Sequence, residues 1–169
     1  MKVNTFEELS LDGLRDIYDA EQRILSALPE MAEAATAQEL KSAFQEHERQ
    51  TREQVSRLDQ IFEMMGVDAS GKECVAMRGL IAEGRQHIKE IEKGPLLDAA
   101  LIGAAQRVEH YEMAAYGTAR NFARQMGDQE AERLLQTTLD EEAKTDEKLT
   151  NIAVSVVNQK AAQQQSAQA

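Results

Sequence analysis

The chain has 169 residues, 42% of them hydrophobic, 29% charged and 4% aromatic, with two prolines and no tryptophan. Few helix breakers and abundant Ala, Glu, Gln and Leu favour long helices over a β-sandwich, which needs more aromatic and β-branched residues. Thirty acidic against 19 basic side chains give a net charge of −11, which repels phosphate backbones and argues against nucleic-acid binding; no apolar run approaches the ~18 residues of a membrane span.

The opening MKVNTFEEL carries neither the basic nor the apolar segment of a signal peptide, so no leader is expected. Helix A is predicted to start at Thr5, where Thr5-x-x-Glu8 spells a capping box. Leu14, Ile17, Ile24, Leu28 and Met31 then recur at steps of three and four, with Glu21 on the same stripe. Pro29 should kink or restart this helix. Thr36-x-x-Glu39 is a second capping box, opening helix B. Its stripe runs Leu40, Phe44, His47, Thr51, Gln54, Leu58, Ile61 and Met65, and Gly66 is the natural stop.

Residues 67–94 form a long crossover containing a shorter helix from Cys74 to about Lys93. Cys74, the one cysteine, excludes an internal disulfide and fits a reducing cytoplasm. Pro95 suits the first position of helix C, whose stripe passes through Leu101, Val108, Glu112, Ala115 and Phe122 before Gly127. Helix D follows Asp128 with Leu135, Thr138, Glu142, Leu149, Ile152 and Val156. The sequence therefore predicts one all-α domain over residues 1–160, a ferritin-like up-down four-helix bundle with a long B–C crossover. The tail at 161–169, AAQQQSAQA, has no apolar period and is expected to be disordered and dispensable.

The stripes turn polar at matched heights. Glu21 lies fifteen residues before Thr36 and Thr51 fifteen after it; Glu112 and Glu142 stand in the same relation to Gly127. One polar layer should thus cross the middle of an apolar bundle. Burying several carboxylates together is costly unless a cation, protons or hydrogen bonds compensate. Di-metal bundles meet that cost with a Glu from each of two helices and Glu-x-x-His from the other two. A di-iron or di-manganese site and a salt-bridged, metal-free polar layer are both compatible with the pattern.

The strings LRDIYDAEQRIL, FQEHERQTREQVSRLDQIF, CVAMRGLIAEG, ALIGAAQRVEHYEMAAYGT and LDEEAKTDEKLT resemble the YciE/YciF family of ferritin-like bacterial stress proteins, over about Thr5 to Asn158. The resemblance implies a ferritin-like bundle, a cytoplasmic location, a homodimer and a link to general or osmotic stress. It implies Glu21 and Glu112 as ligands from helices A and C, with Tyr116 beside Glu112. Helix B would give His47 and Gln50, where the family reads His-x-x-Glu. Helix D would give Glu141, with Lys144 at the expected His position. Both departures weaken the site: Gln50 is neutral, and a protonated Lys has no lone pair. Glu109, Glu142 and Asp146, each within a turn of the layer, are the substitute carboxylates. Periodicity selects Glu142, whereas family spacing selects Glu141.

Two functions follow. One is an iron- or manganese-containing stress protein acting on iron, peroxide or dioxygen, with no nucleic-acid or membrane partner. The other is a metal-free helical homodimer serving as a binding or scaffold protein. Of the remaining residues, His87, His110, the other tyrosines, the methionines and Cys74 read as surface or packing positions.

Overall fold

Thr5 opens the first helix as its capping box requires. In the computed structural model, which describes residues 2–166, the Glu8 N–H donates to the Thr5 hydroxyl at 3.1 Å and the Thr5 N–H donates to the Glu8 carboxylate at 3.1 Å. Helix α1 then runs Phe6–Ala34 without a break at Pro29. A proline forfeits one backbone donor, yet Ile24 and Leu28 before it and Ala34 after it enter the same apolar cluster. That shared burial keeps α1 in one piece, without the restart that was one of the two expectations at Pro29.

Helix α2 (Gln38–Met65) departs from expectation at its start. Thr36 does not close a capping box; the cap position is Ala37, which offers no side-chain acceptor. The acceptor comes instead from Asp98, 62 residues away. Its carboxylate takes the Thr36 N–H at 2.7 Å, the Thr36 hydroxyl at 2.6 Å and the Ala37 N–H at 2.8 Å. A tertiary carboxylate has replaced the local cap and ties the α1–α2 turn to the next hairpin. At its other end α2 stops at Gly66, whose φ of 65° lies in the left-handed region that favours glycine.

The crossover carries α3 (Val75–Glu90), capped by the Cys74 sulfur, which accepts the Met77 N–H. Helix α4 (Pro95–Met126) starts on proline and ends at Gly127, also left-handed. Helix α5 (Gln129–Ile152) is capped by Asp128, which accepts the Ala131 N–H at 3.0 Å. Around the bundle the order is α1, α2, α5, α4, with α3 laid over α1 and α4. Asp98 at the start of α4 meets the end of α1, and Phe6 at the start of α1 meets Phe122 near the end of α4. Every neighbouring pair is therefore antiparallel, and the crossover must travel the bundle's full length.

The chain stays helical beyond α5. After α5 the backbone makes a π-helical turn, α6 (Ala153–Val157), and continues as α7 (Asn158–Ser166), which packs against α4. A π turn inserts one extra residue and rotates the faces beyond it. Val157 accordingly takes the fully buried place and Val156 a partly buried one. Residues 167–169 lie outside the described residues.

The core divides into two clusters. One holds Ile24, Leu28, Leu40, Phe44 and Leu101; the other holds Leu14, Ile17, Leu58, Ile61 and Leu135. The polar layer lies between them. Because Asp98 accepts three donors at the α1–α2 turn, Asp98→Ala leaves them without that acceptor and should cost about 2 kcal/mol. Urea denaturation measures this; an unchanged midpoint would show that the turn does not depend on Asp98.

Candidate metal centre

Helical periodicity delivers the polar residues inward. A residue on the 3.6-period stripe faces the core whatever its chemistry, and Glu21, His47, Glu109, Glu112 and Glu142 are each no more than 4% exposed. The structure brings four of them together. One ligand atom each from His47, Glu109, Glu112 and Glu142 lies within 4.8 Å of every other. Two donors on opposite sides of a cation at ~2.0–2.3 Å are separated by about that distance. His47 Nε2 stands 3.4 Å from a Glu109 oxygen. The Gln54 amide donates to Glu142, and the Tyr116 hydroxyl donates to Glu21, whose carboxyl adjoins Glu112.

The electrostatics follow from burial. Desolvation, reinforced by the facing carboxylates, holds Glu21, Glu109 and Glu112 well above the ordinary carboxylate range. Glu142 is pushed up to about 7, mainly by burial. Burial lowers His47 to about 4, so its imidazole is neutral at physiological pH and keeps a lone pair. Many polar atoms also lack partners. Both oxygens of Glu112, both nitrogens of His47 and one oxygen each of Glu21, Glu109 and Glu142 have no hydrogen-bond partner. Buried polar atoms are ordinarily satisfied, so orphaned atoms on His47, Glu109, Glu112 and Glu142, which come together, mark a place for cations or protons.

The other sequence candidates lie outside this group. Glu141 points to Arg57, which donates to both its oxygens at 2.7 Å; the helix rotation that buries Glu142 leaves Glu141 at the edge. Gln50 is half-buried and belongs to the wall of a neighbouring cavity. Asp146 is also half-buried and accepts from Gln106 at 3.1 Å. Lys144 is exposed and lines the same neighbouring cavity as Gln50. Thr51 is buried, but its hydroxyl donates back to the His47 carbonyl at 2.9 Å.

Sequence reasoning passed over Gln54 and Arg57. Gln54 is on the α2 stripe and fully buried, and a buried amide on a stripe was the available signal. Arg57 carried none, since its role depends on which turn of α5 lies opposite. Cys74 is buried and its thiol is pushed up by desolvation, which suits packing over reactivity. His110 is exposed beside Asp146.

Comparison with known proteins agrees with this architecture. Residues 5–162 match the model of a domain of unknown function, DUF892. Protein YciF of Escherichia coli K12 is 43% identical over 162 residues, spanning 95% of this chain and 98% of its own. The crystal structure of the E. coli stress protein YciF superposes with a TM-score of 0.89, covering 92% of this chain and 99% of that one. YcfI of Rhodopseudomonas palustris, a proposed structural protein, is 44% identical with a TM-score of 0.87, covering 90% of this chain and 97% of that one. A Xanthomonas campestris protein at 20% identity and a TM-score of 0.74, covering 95% and 99%, shares the fold. With a family match over most of its length and a ferritin-like helical bundle like that of YciF, the chain belongs to the DUF892 family.

Proposed function

We propose that the buried layer is a divalent-metal centre, filled by iron or manganese, in a stress protein that handles iron or a small oxidant such as peroxide or dioxygen. The observation that carries this reading is Glu112, 1% exposed among other carboxyls, with no amide, hydroxyl or basic group of the described residues donating to either oxygen. Three carboxylates and an imidazole make a hard-to-borderline donor set with no thiolate, suited to iron, manganese or zinc over soft metals. Glu21, Glu109, Glu112 and Glu142 together carry the charge that two divalent cations would balance.

When bound, iron or manganese supplies Lewis acidity and a change of oxidation state. The chain's residues supply the rest. His47, Glu109, Glu112 and Glu142 would hold the first ion. Glu21 stands beside Glu112 as the carboxylate for a second, oriented by Tyr116. Gln54 fixes Glu142, while the Arg57–Glu141 pair flanks the layer on the α2–α5 side. The Tyr116 hydroxyl donates a hydrogen bond to a Glu21 oxygen and, held well above its ordinary range by burial, keeps its own proton. Loading displaces protons from the carboxyls, so affinity rises with pH. The homodimer and cytoplasmic location belong to the same proposal; Phe6, Leu9 and Met126, all more than a third exposed, offer an apolar surface at one end of the bundle.

Glu112→Gln keeps the shape but removes an anionic ligand. Its metal content after iron or manganese loading should fall at least tenfold, while the metal-free variant gains about 1 kcal/mol by losing a buried acidic group. Metal analysis and thermal melting read both; unchanged metal content would remove Glu112 from the site. The scaffold reading is favoured by Gln54 and Tyr116, which already donate to two of the carboxylates, and by the structural role proposed for YcfI. It requires a melting temperature indifferent to chelator and added iron.

The pH dependence has a definite sign. A carboxyl raised in the folded state binds more protons there than when unfolded, so stability falls as pH rises between the two pKa values. For Glu142 that window runs from about 4.5 to about 7. Metal-free protein should therefore melt higher at about pH 5 than at about pH 8, and metal should offset the loss. Equal melting of metal-free protein at both pH values would show that the layer carries no such penalty.

A further inference from the structure

The buried layer is lopsided in its ligands. The chain holds three histidines, and only His47 lies in the layer. The His110 side chain is 67% exposed, and His87 is on α3, outside the four bundle helices. The His47 imidazole stands with Glu109, Glu112 and Glu142, whose ligand atoms converge within 4.8 Å. Glu21 is the buried glutamate that this group leaves out.

The surroundings of Glu21 offer a second cation far less. One of its oxygens accepts the Tyr116 hydroxyl and the other has no partner. Glu112, which adjoins it, already belongs to the converging group and would be shared. The Gln54 carbonyl oxygen is buried and unpartnered but neutral. Thr51 turns its hydroxyl back to the His47 carbonyl at 2.9 Å. The next carboxylate is Glu141, joined to Glu142 through the Gln54 amide, which donates to both. Each Glu141 oxygen also takes a 2.7 Å hydrogen bond from the Arg57 guanidinium. Such a bidentate, charge-assisted pair fixes geometry as well as charge, so Arg57 holds Glu141 facing away from Glu21.

On the footing that the layer holds divalent metal, we propose that its two ion positions are unequal: a resident ion held by His47, Glu109, Glu112 and Glu142, and an exchangeable ion held by Glu21 and the shared Glu112. The nitrogen ligand belongs to the resident ion, while the exchangeable one meets oxygens alone. Occupancy of the pair then follows the free-ion concentration. Chemistry that draws one electron from each of two ions is confined to conditions in which that concentration is high.

Manganese(II) titrated into metal-free, full-length protein, with the free ion counted by its EPR signal, tests the inequality. Two binding events of one ion per chain are expected, their dissociation constants separated by about tenfold or more, because even an orienting partner of a ligand is worth that much. Gel filtration should then leave the resident ion in place and strip the other. Repulsion between two equivalent positions would also separate the events, so variants decide. Glu21→Gln should abolish the weaker event and keep the tighter one. His47→Leu should abolish the tighter event; Glu109→Gln removes a ligand from the same position should the first variant fail to fold. Equivalent positions would keep one tight event in every one of these variants, and that outcome would overturn the proposal. So would two events of equal strength, or loss of the tight event in Glu21→Gln. Folded protein that takes up no manganese at any concentration would remove the metal centre itself, and the inequality with it.

Discussion

Four glutamates meet at one level of an otherwise apolar bundle, and the cost of taking their charge out of water governs the molecule. An isolated buried carboxylate loses several kcal/mol of hydration even after relaxation. Four together add mutual repulsion, which protonation or cations must relieve. The helices make this layer unavoidable: Glu21, Glu112 and Glu142 lie on stripes whose other members form the two halves of the core. Turning any one carboxylate outward would expose a run of leucines and isoleucines. The bundle therefore holds the glutamates in place, and cations or protons must complete what the bundle leaves unsatisfied.

Several nearby features serve that layer. Arg57 on α2 is engaged by Glu141 through two hydrogen bonds, and its charge reaches Glu142 only at a distance, too weakly to offset burial. Gln54 contributes a neutral donor that orients Glu142, and Tyr116 does the same for Glu21. His47 adds a nitrogen kept neutral by burial. Asp98 works at a distance, since its three bonds to the α1–α2 turn set how the two hairpins meet. Together with the Tyr111–Asp16 and Phe6–Phe122 contacts it fixes the height of α1 against α4.

The fold was legible because its signals are local and redundant: apolar periodicity, glycines at Gly66 and Gly127, and the Thr5 capping box each mark a helix or its end. The matched heights of Glu21, Glu112 and Glu142 were legible for the same reason, since a fixed rise per residue turns spacing into position. The choice between Glu141 and Glu142 was not settled by spacing, because it turns on rotation about α5, which the partner Arg57 reveals. Thr36 misled because a tertiary acceptor outcompeted the local capping box. The π turn after Ile152 and the packing of the following helix on α4 had no sequence signal, because they are properties of the assembled bundle.

The central claim is that cations complete the carboxylate layer. Anomalous diffraction tests it most directly, on crystals of protein loaded with ferrous iron and recorded on both sides of the iron absorption edge. The expected result is strong anomalous density among His47, Glu109, Glu112 and Glu142, with a second site beside Glu21. A layer with no anomalous density at full iron loading, its glutamates paired to one another through protons, would contradict it.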